Sequence, residues 1–309
     1  MTTSSRPHVF PGAPEPRPLN DEEFQRFRAW VHQESGILLA ETKKAFLTAR
    51  LGHRIRALGL PSFGAYYQRV TSGEDADEAR QMLEALCIHE TSFFREPSQF
   101  TFLQDTLVPA WRAEAEHGQR TARLRIWSAA CATGEEPYSV AMMLGICLPA
   151  EEGWAVDLLA TDLSTSALRR AREGLWPIER AREIPDAYLR RYMLRGTGKQ
   201  AGWMKPGPQL RARVQFRPLN LHHVPHDVNG TFDLILCRNV LMYFSPAARL
   251  RVVEGLTDRL RPGGHLFIGH AESLQGMSAR LRCLRPTIYM RVAEASTPPP
   301  LAGAKRVGT

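Results

Sequence analysis

Cysteine pairs at C-x-x-C spacing are missing from this 309-residue chain. Its five cysteines (Cys87, Cys131, Cys147, Cys237 and Cys283) are odd in number and lie mostly inside apolar runs. That excludes a disulfide framework or a zinc ribbon and points to reduced, buried thiols. Long hydrophobic runs are missing too. The longest, near Val140–Leu148, falls far short of the roughly 20 residues that cross a bilayer. The opening "MTTSSRPHVFPGAPEPRP" lacks the apolar core of a signal peptide, so the expectation is a cytoplasmic protein with no membrane insertion. Lysine is scarce beside arginine. The formal net charge of +8 leans towards acidic partners without choosing among nucleic acid, anionic membrane and acidic protein. Glycine is scarce where a phosphate cradle would need it. In "WSAACATGEEPYS" (127–139), G-x-G-x-x-G would require glycines at Ala130 and Ala132, and a P-loop would require Lys in place of Glu135. A pyrophosphate would be repelled by Glu135 and Glu136, so this turn suits a neutral or cationic ligand.

What is present is an ordinary globular composition, 43% hydrophobic and 23% charged, organised in two parts. Residues 1–19 and 293–309 have the composition of disordered ends. Residues 20–88 read as helices only. "NDEEFQRFRAWVHQESG" offers Asn20 or Asp21 as N-cap, apolar residues at helical spacing and Gly36 as terminator. "ETKKAFLTARLGHRIRALG" sets Phe46, Leu47, Leu51, Ile55 and Leu58 on one stripe, opposite Lys43, Lys44, Arg50, His53, Arg54 and Arg56. Residues 89–100 form a linker that contributes to the site. Over 101–292, short β-like runs ("LRIWSA", "AVDLLATD", "FDLILCRN", "GHLFIG") alternate with helices, which predicts a parallel sheet covered on both faces. "PTIYMRV" reads as a closing edge strand. The rhythm breaks over about 175–217, where turn signals and short alternating segments predict a small β-rich insertion.

In open parallel sheets ligands bind beyond the carboxyl ends of the strands, and here those ends carry unusual polar residues. They are Glu136 after the first strand, Asp162 after "LLAT", and Arg238 and Asn239 after "FDLILC", with Tyr243 about one helical turn on; Asn220 in "PLN" is a further candidate. Singly, each has a bland alternative: Asp162 could cap the next helix, Glu136 could merely favour a helix N-terminus, and Tyr243 could be core. Together at strand ends they favour a site. An acidic residue in the position of Asp162 can bind the ribose hydroxyls of an adenosine-containing cofactor. Carboxylates without a phosphate cradle fit S-adenosylmethionine, with its cationic sulfonium and amino groups, better than NAD or ATP; spacing alone leaves an NAD enzyme with a degenerate loop open. "NLHHVPHD" brings His222, His223 and His226 close in sequence but with no partner ligand set, and no metal is assigned.

"RIWSAACATGEEPYSVAM", "ATDLS", "FDLILCRNVLMYF", "LRPGGHLFIGHAES" and "HETSFFRE" together resemble the chemotaxis receptor methyltransferases, the CheR family, over about residues 20–292. The resemblance implies an N-terminal all-helical domain followed by a Rossmann-like S-adenosylmethionine-dependent methyltransferase domain of the α/β class. It implies methyl transfer to glutamate side chains of a chemoreceptor's cytoplasmic helical bundle; oligomeric state stays open, with a monomer as the default expectation. It assigns cofactor contacts to His89, Thr91, Arg95, Glu136, Asp162, Asn220, Leu221, Arg238 and Asn239, and sets Arg95 and Tyr243 nearest the transferred methyl. It assigns receptor contacts to Lys44, Arg50, His53, Arg54 and Arg56. The chain departs from the family at His89, usually Asn, and at His53, often Arg. Some members of the family use the β-rich insertion to hold a tethering peptide.

The chemistry is compatible with these residue types. A glutamate carboxylate is ionised at neutral pH and needs neither a general base nor a metal to attack a sulfonium methyl. The protein's task is alignment and exclusion of water. Arg95 then positions or holds the cofactor, since a full salt bridge would blunt the nucleophile, and the Tyr243 hydroxyl orients the substrate. Two other readings compete. A nucleic-acid methyltransferase would want a proline-aromatic tetrapeptide where "RNVLMY" stands. An idle interaction module would be marked by loss of Asp162 or Arg95, and both are present.

Overall fold

The computed structural model describes residues 16–292; the ends expected to be disordered otherwise lie outside that range. Within it, Leu19 belongs to the helical core and Arg17 bridges Ser62, so the end of the expected N-terminal tail is packed. Helix α1 (Asp21–Ser35) starts at a capping box, Asn20 accepting from the Glu23 amide and Glu23 from the Asn20 amide, and stops at Gly36 in the left-handed region (φ 70°). α2 (Lys44–Ala57) buries Leu47, Leu51 and Ile55, spaced four apart, against α3 (Phe63–Thr71) and α4 (Ala76–Leu86), capped by Ser62 and Asp75. Phe27 centres this core, edge-on to Phe63 and Tyr67.

The second part opens with α5 (Pro97–Phe102), which runs through a π turn into α6 (Val108–Glu116). Then follow β1 (Arg123–Ala129), α7 (Glu135–Cys147), β2 (Ala155–Asp162) and α8 (Thr165–Glu173). A small antiparallel sheet interrupts: β3 (Trp176–Pro177), α9 (Asp186–Tyr192), β4 (Met193–Arg195), β5 (Trp203–Pro206) and α10 (Pro208–Arg211). The main chain resumes with β6 (Val214–Pro218), β7 (Phe232–Cys237), α11 (Pro246–Arg259), β8 (Leu260–Ile268), β9 (Leu281–Arg285) and β10 (Ile288–Arg291).

The main sheet has strand order β6-β2-β1-β7-β8-β10-β9, parallel from β6 to β8 and antiparallel beyond. The chain leaves β1 towards β2 and returns on its other side at β7, so the topological switch point lies between β1 and β7. Two expectations are corrected. β6 pairs with β2 and belongs to the main sheet, so the insertion ends before Val214 and not at 217. β10 is not the edge: β9 lies outside it. β9 escapes a sequence reading because its residues are largely exposed and three of the five are arginine or cysteine, the blunted character of an edge strand.

The two parts are stitched beside the switch point. The Leu38 amide donates to Tyr243 O (2.8 Å), the Ser245 amide to Gly36 O (3.1 Å) and Asn220 Nδ2 to Glu34 O (2.7 Å). Gly36 is required here twice over: its φ is positive, and a Cβ would sit 2.6 Å from His222 Nδ1 and 2.9 Å from Phe244. On the far side Glu84 of α4 caps α8 of the other domain, accepting from the Thr165 amide and hydroxyl (both 2.7 Å) and the Ser166 amide (3.2 Å).

Candidate active site

A cavity of about 280 Å³ opens at the switch point, floored by the strand ends and roofed by residues 35–46 and 86–91 of the helical part and linker. It collects His89, Thr91, Arg95, Glu136, Asp162, Asn220, Leu221, Arg238, Asn239 and Tyr243 on one surface. The backbone there is unusual. Of the non-glycine residues with positive φ among those described, Phe94, Glu96, Ala130, Ala132 and Asn239 lie in or beside the cavity. Strain of this kind concentrates where a fold is held for function.

Asp162 ends β2 with each carboxylate oxygen accepting one backbone amide, Oδ1 from Ser164 (2.9 Å) and Oδ2 from Ala132 (2.8 Å). The capping reading is therefore partly realised, while Ser164 itself caps α8. A carboxylate has room for further donors. Burial pushes its carboxyl up, and the two amides pull it back only in part. Glu136 is likewise pushed up by burial, with Arg238 (3.3 Å) and the Ser128 hydroxyl (2.6 Å) opposing. Glu135 does not face the ligand, against the expectation. Its carboxylate takes Thr133 Oγ1 (2.7 Å), Trp176 Nε1 (2.9 Å) and Arg180 (2.7 Å), and is fully buried.

Arg238 is a buried tie: it donates to the Arg95 carbonyl and faces Glu96 and Glu136, each at 3.3 Å. Arg95 turns its guanidinium onto the Glu90 carbonyl (3.0 Å). The Asn220 side chain is spent on the seam, donating to Glu34 O and accepting from the His222 amide (3.0 Å). Tyr243 is half-exposed at the mouth. His226 is buried edge-on to Trp127 with Nε2 on Leu221 O (3.0 Å). Among the described residues no group of His, Cys, Asp and Glu could hold a metal ion, and no helix is long and apolar enough to cross a membrane.

The basic face of α2 is reduced by pairing. Arg54 forks onto buried Glu78 (2.7 and 2.5 Å), which also takes the Tyr66 hydroxyl, and so braces α2 to α4. Lys44 pairs with Asp21 (2.6 Å). Arg50, His53 and Arg56 are exposed. Lys43 and Arg50 lie over the Phe46 ring, and Lys43 and Phe46 line the cavity.

Several contributors were invisible in the sequence. Glu272 binds the amides of Gly269 (2.6 Å), Asn239 (3.0 Å) and Met242 (3.3 Å), and Glu96 takes the His270 amide (3.0 Å) and Asn239 Nδ2 (3.3 Å). Leu38, Lys43 and Phe46 reach the cavity from the helical part. Glu96 stands in "HETSFFRE", Glu272 in "GHAES" and Lys43 and Phe46 on the basic helix, but nothing in those stretches marks their part in the site.

The donor set fits S-adenosylmethionine. Carboxylates with free acceptor capacity face a cavity without a phosphate cradle. Buried Nε2 of His89 and Nε of Arg238, both cavity residues, have no hydrogen-bond partner among the described residues. Comparison with known proteins agrees. Residues 89–290 match the family model "CheR methyltransferase, SAM binding domain" and residues 22–87 match "CheR methyltransferase, all-alpha domain". The chain is 36% identical over 273 residues to the chemotaxis protein methyltransferase of Escherichia coli K12, covering 88% of this chain and 91% of that protein. It is 37% identical over 268 residues to chemotaxis protein methyltransferase 2 of Pseudomonas aeruginosa, covering 87% and 92%.

Proposed function

Because this chain belongs to the CheR family of S-adenosylmethionine-dependent chemotaxis methyltransferases, we propose that it esterifies glutamate side chains on the cytoplasmic helical bundle of a chemoreceptor. The observation that carries the reading is a division of charge across the cavity. Asp162, and Glu136 facing Arg238, put carboxylates in the interior, while Lys43 on the lining and Arg50 beside it, both over the Phe46 ring, put cations on the helical-domain side. A cationic cofactor suits the first and an anionic acceptor the second. Relatives named as methyltransferases favour an active enzyme over an idle module.

Bound S-adenosylmethionine supplies a methyl group on a sulfonium leaving group. Asp162 would accept from the ribose hydroxyls, and Glu136 would offset the cofactor's positive charge. His89 and Thr91 would close the linker side, while Asn220, Leu221, Arg238 and Asn239 would shape the floor. Asn220 and Arg238 would act chiefly by fixing the surfaces they tie together. Arg95, committed to the Glu90 carbonyl, would position the linker instead of clamping the acceptor, which leaves the attacking carboxylate its nucleophilicity. The Tyr243 hydroxyl, on the cavity lining and without a hydrogen-bond partner among the described residues, would orient that carboxylate. Arg50, His53 and Arg56 would meet acidic receptor residues; Arg54 would serve through α4.

The test is incubation of the purified chain with methyl-labelled S-adenosylmethionine and a receptor cytoplasmic fragment, followed by mild alkali. Label released as volatile methanol is the expected result. Alkali-stable label would overturn the carboxyl-ester reading.

A further inference from the structure

Residues 90–96, the strip carrying Thr91 and Arg95, form neither helix nor strand, yet several of their peptide groups are hydrogen-bonded. Side chains take them up instead. The Phe93 amide donates to Glu183 Oε2 (3.0 Å), the Phe94 amide to Ser139 Oγ (2.9 Å), and the Thr91 carbonyl accepts from Arg180 Nη2 (2.8 Å). Two of those three partners, Arg180 and Glu183, come from the 3₁₀ turn Ile178–Glu183 inside the insertion. Arg180 spans further: Nη1 donates to Glu135 Oε1 (2.7 Å) at the start of α7, and Nε and Nη2 hold Glu183 (3.0 and 2.9 Å). The insertion adds rings to the same strip. Phe93 meets Trp176 edge-on at 5.0 Å, and Phe94 stacks on Tyr188 at 5.1 Å and 13°. The strip is under tension, with Phe94 at φ 51° and Glu96 at φ 64°, conformations that persist only where surroundings impose them.

We propose that Arg180 and Glu183 are positioning residues for the methyl transfer. The insertion's first turn clamps the 90–96 strip to the head of α7 and thereby sets Thr91 and Arg95 against the cofactor cavity. Neither Arg180 nor Glu183 lines that cavity, so both act through the residues they hold. A guanidinium is the group this clamp needs, because its planar fork reaches three acceptors at once and an ammonium cannot do so in fixed geometry. The inference rests on the cofactor cavity and is independent of which acceptor is methylated.

The decisive variants are Arg180→Lys and Glu183→Gln, read by calorimetric titration with S-adenosylhomocysteine and by hydrogen exchange. Arg180→Lys keeps the charge and loses the fork; its affinity is expected to fall about tenfold, the order seen when groups that orient binding residues are lost. Exchange should accelerate over 90–96 while the 20–86 helices keep wild-type protection. Glu183→Gln keeps an acceptor for the Phe93 amide and should show a smaller loss in the same direction, which decides the matter if Arg180→Lys does not fold. In turnover, KM for S-adenosylmethionine should rise while KM for the acceptor holds. Wild-type affinity and exchange over 90–96 in folded variants would overturn the proposal. So would protection lost evenly over the whole chain, since that marks a general role in stability. Absence of methyl ester from the wild-type enzyme would sink the acceptor assignment and leave this binding test intact.

Discussion

At the scale of single residues, the site depends on carboxylates that bind backbone rather than ligand. Glu272 gathers three amides from the ends of β7 and β8, and one of them belongs to Asn239, held at φ 58°. Asparagine tolerates that conformation better than most residues, but the acceptor is what fixes it. In Glu272→Gln an amide NH₂ faces those N–H donors, so stability should fall by about 1–3 kcal/mol, with cofactor affinity falling as Asn239 relaxes. Urea unfolding and S-adenosylhomocysteine titration check both; an unchanged midpoint would refute the role. Tyr243 is the opposite case, half-exposed with a hydroxyl unbonded among the described residues. Tyr243→Phe should leave folding and product affinity untouched and lower kcat about tenfold if the hydroxyl aligns the acceptor. A changed cofactor KM with normal kcat would assign it to binding instead.

At the scale of elements, legibility followed periodicity. α1 to α4 announced themselves by caps and by stripes such as Leu47, Leu51 and Ile55, and β1, β2, β7 and β8 by apolar runs buried on both faces. The insertion's limit and the β9 edge did not, because β6 carries Gln215 and Arg217 on exposed positions and β9 mixes leucine, cysteine and arginine on a largely exposed strand with no buried apolar run. The strand-end residues were legible since their chemistry is wrong for a core. The residues that hold them were not, because a carboxylate such as Glu84 looks like any solvated helical glutamate until its partners arrive from about 80 positions away. Burial pushes the Glu84 carboxyl up, but hydrogen bonds from Thr165 and Ser166 outweigh it and leave its pKa below the ordinary 4.5. Its stabilisation is therefore full above pH 4.5 and lost as pH falls through the lower folded value. Glu84→Ala removes a helix cap and an inter-domain tie together, and about 1–2 kcal/mol should go with them. Scanning calorimetry should show a lower Tm, and if it does not, the seam is held by the contacts beside the switch point, among them Leu38–Tyr243, Ser245–Gly36 and Asn220–Glu34.

At the scale of the whole molecule, buried histidines set the response to acid. His265 sits in β8 at 7% exposure, near the Phe102 ring. Burial, with Arg261 adding to it and Glu114 opposing, holds its pKa down to about 4 from 6.5. His222 and His226 are also held below 6.5, chiefly by burial. In each case the unfolded chain takes up the proton first, so stability is complete above pH 6.5 and declines as pH falls towards the folded value. For His265 alone the decline amounts to about 3 kcal/mol between pH 6.5 and 4. Asp162 and Glu136 act in the reverse sense. Their carboxyls are raised, so the folded chain binds protons there more readily and part of the loss is returned as pH falls, but the charges that suit a cationic cofactor vanish with it. Stability and cofactor affinity should therefore separate in mild acid. The unfolding free energy should fall between pH 7 and 5 with a slope that His265→Gln reduces, while S-adenosylhomocysteine affinity in the same variant keeps its wild-type pH profile. A variant whose stability profile matches the wild type would remove His265 from the account. One whose binding profile moved with its stability would show that cavity and core titrate as a single unit, against the separate surroundings that Asp162 and His265 have in the fold.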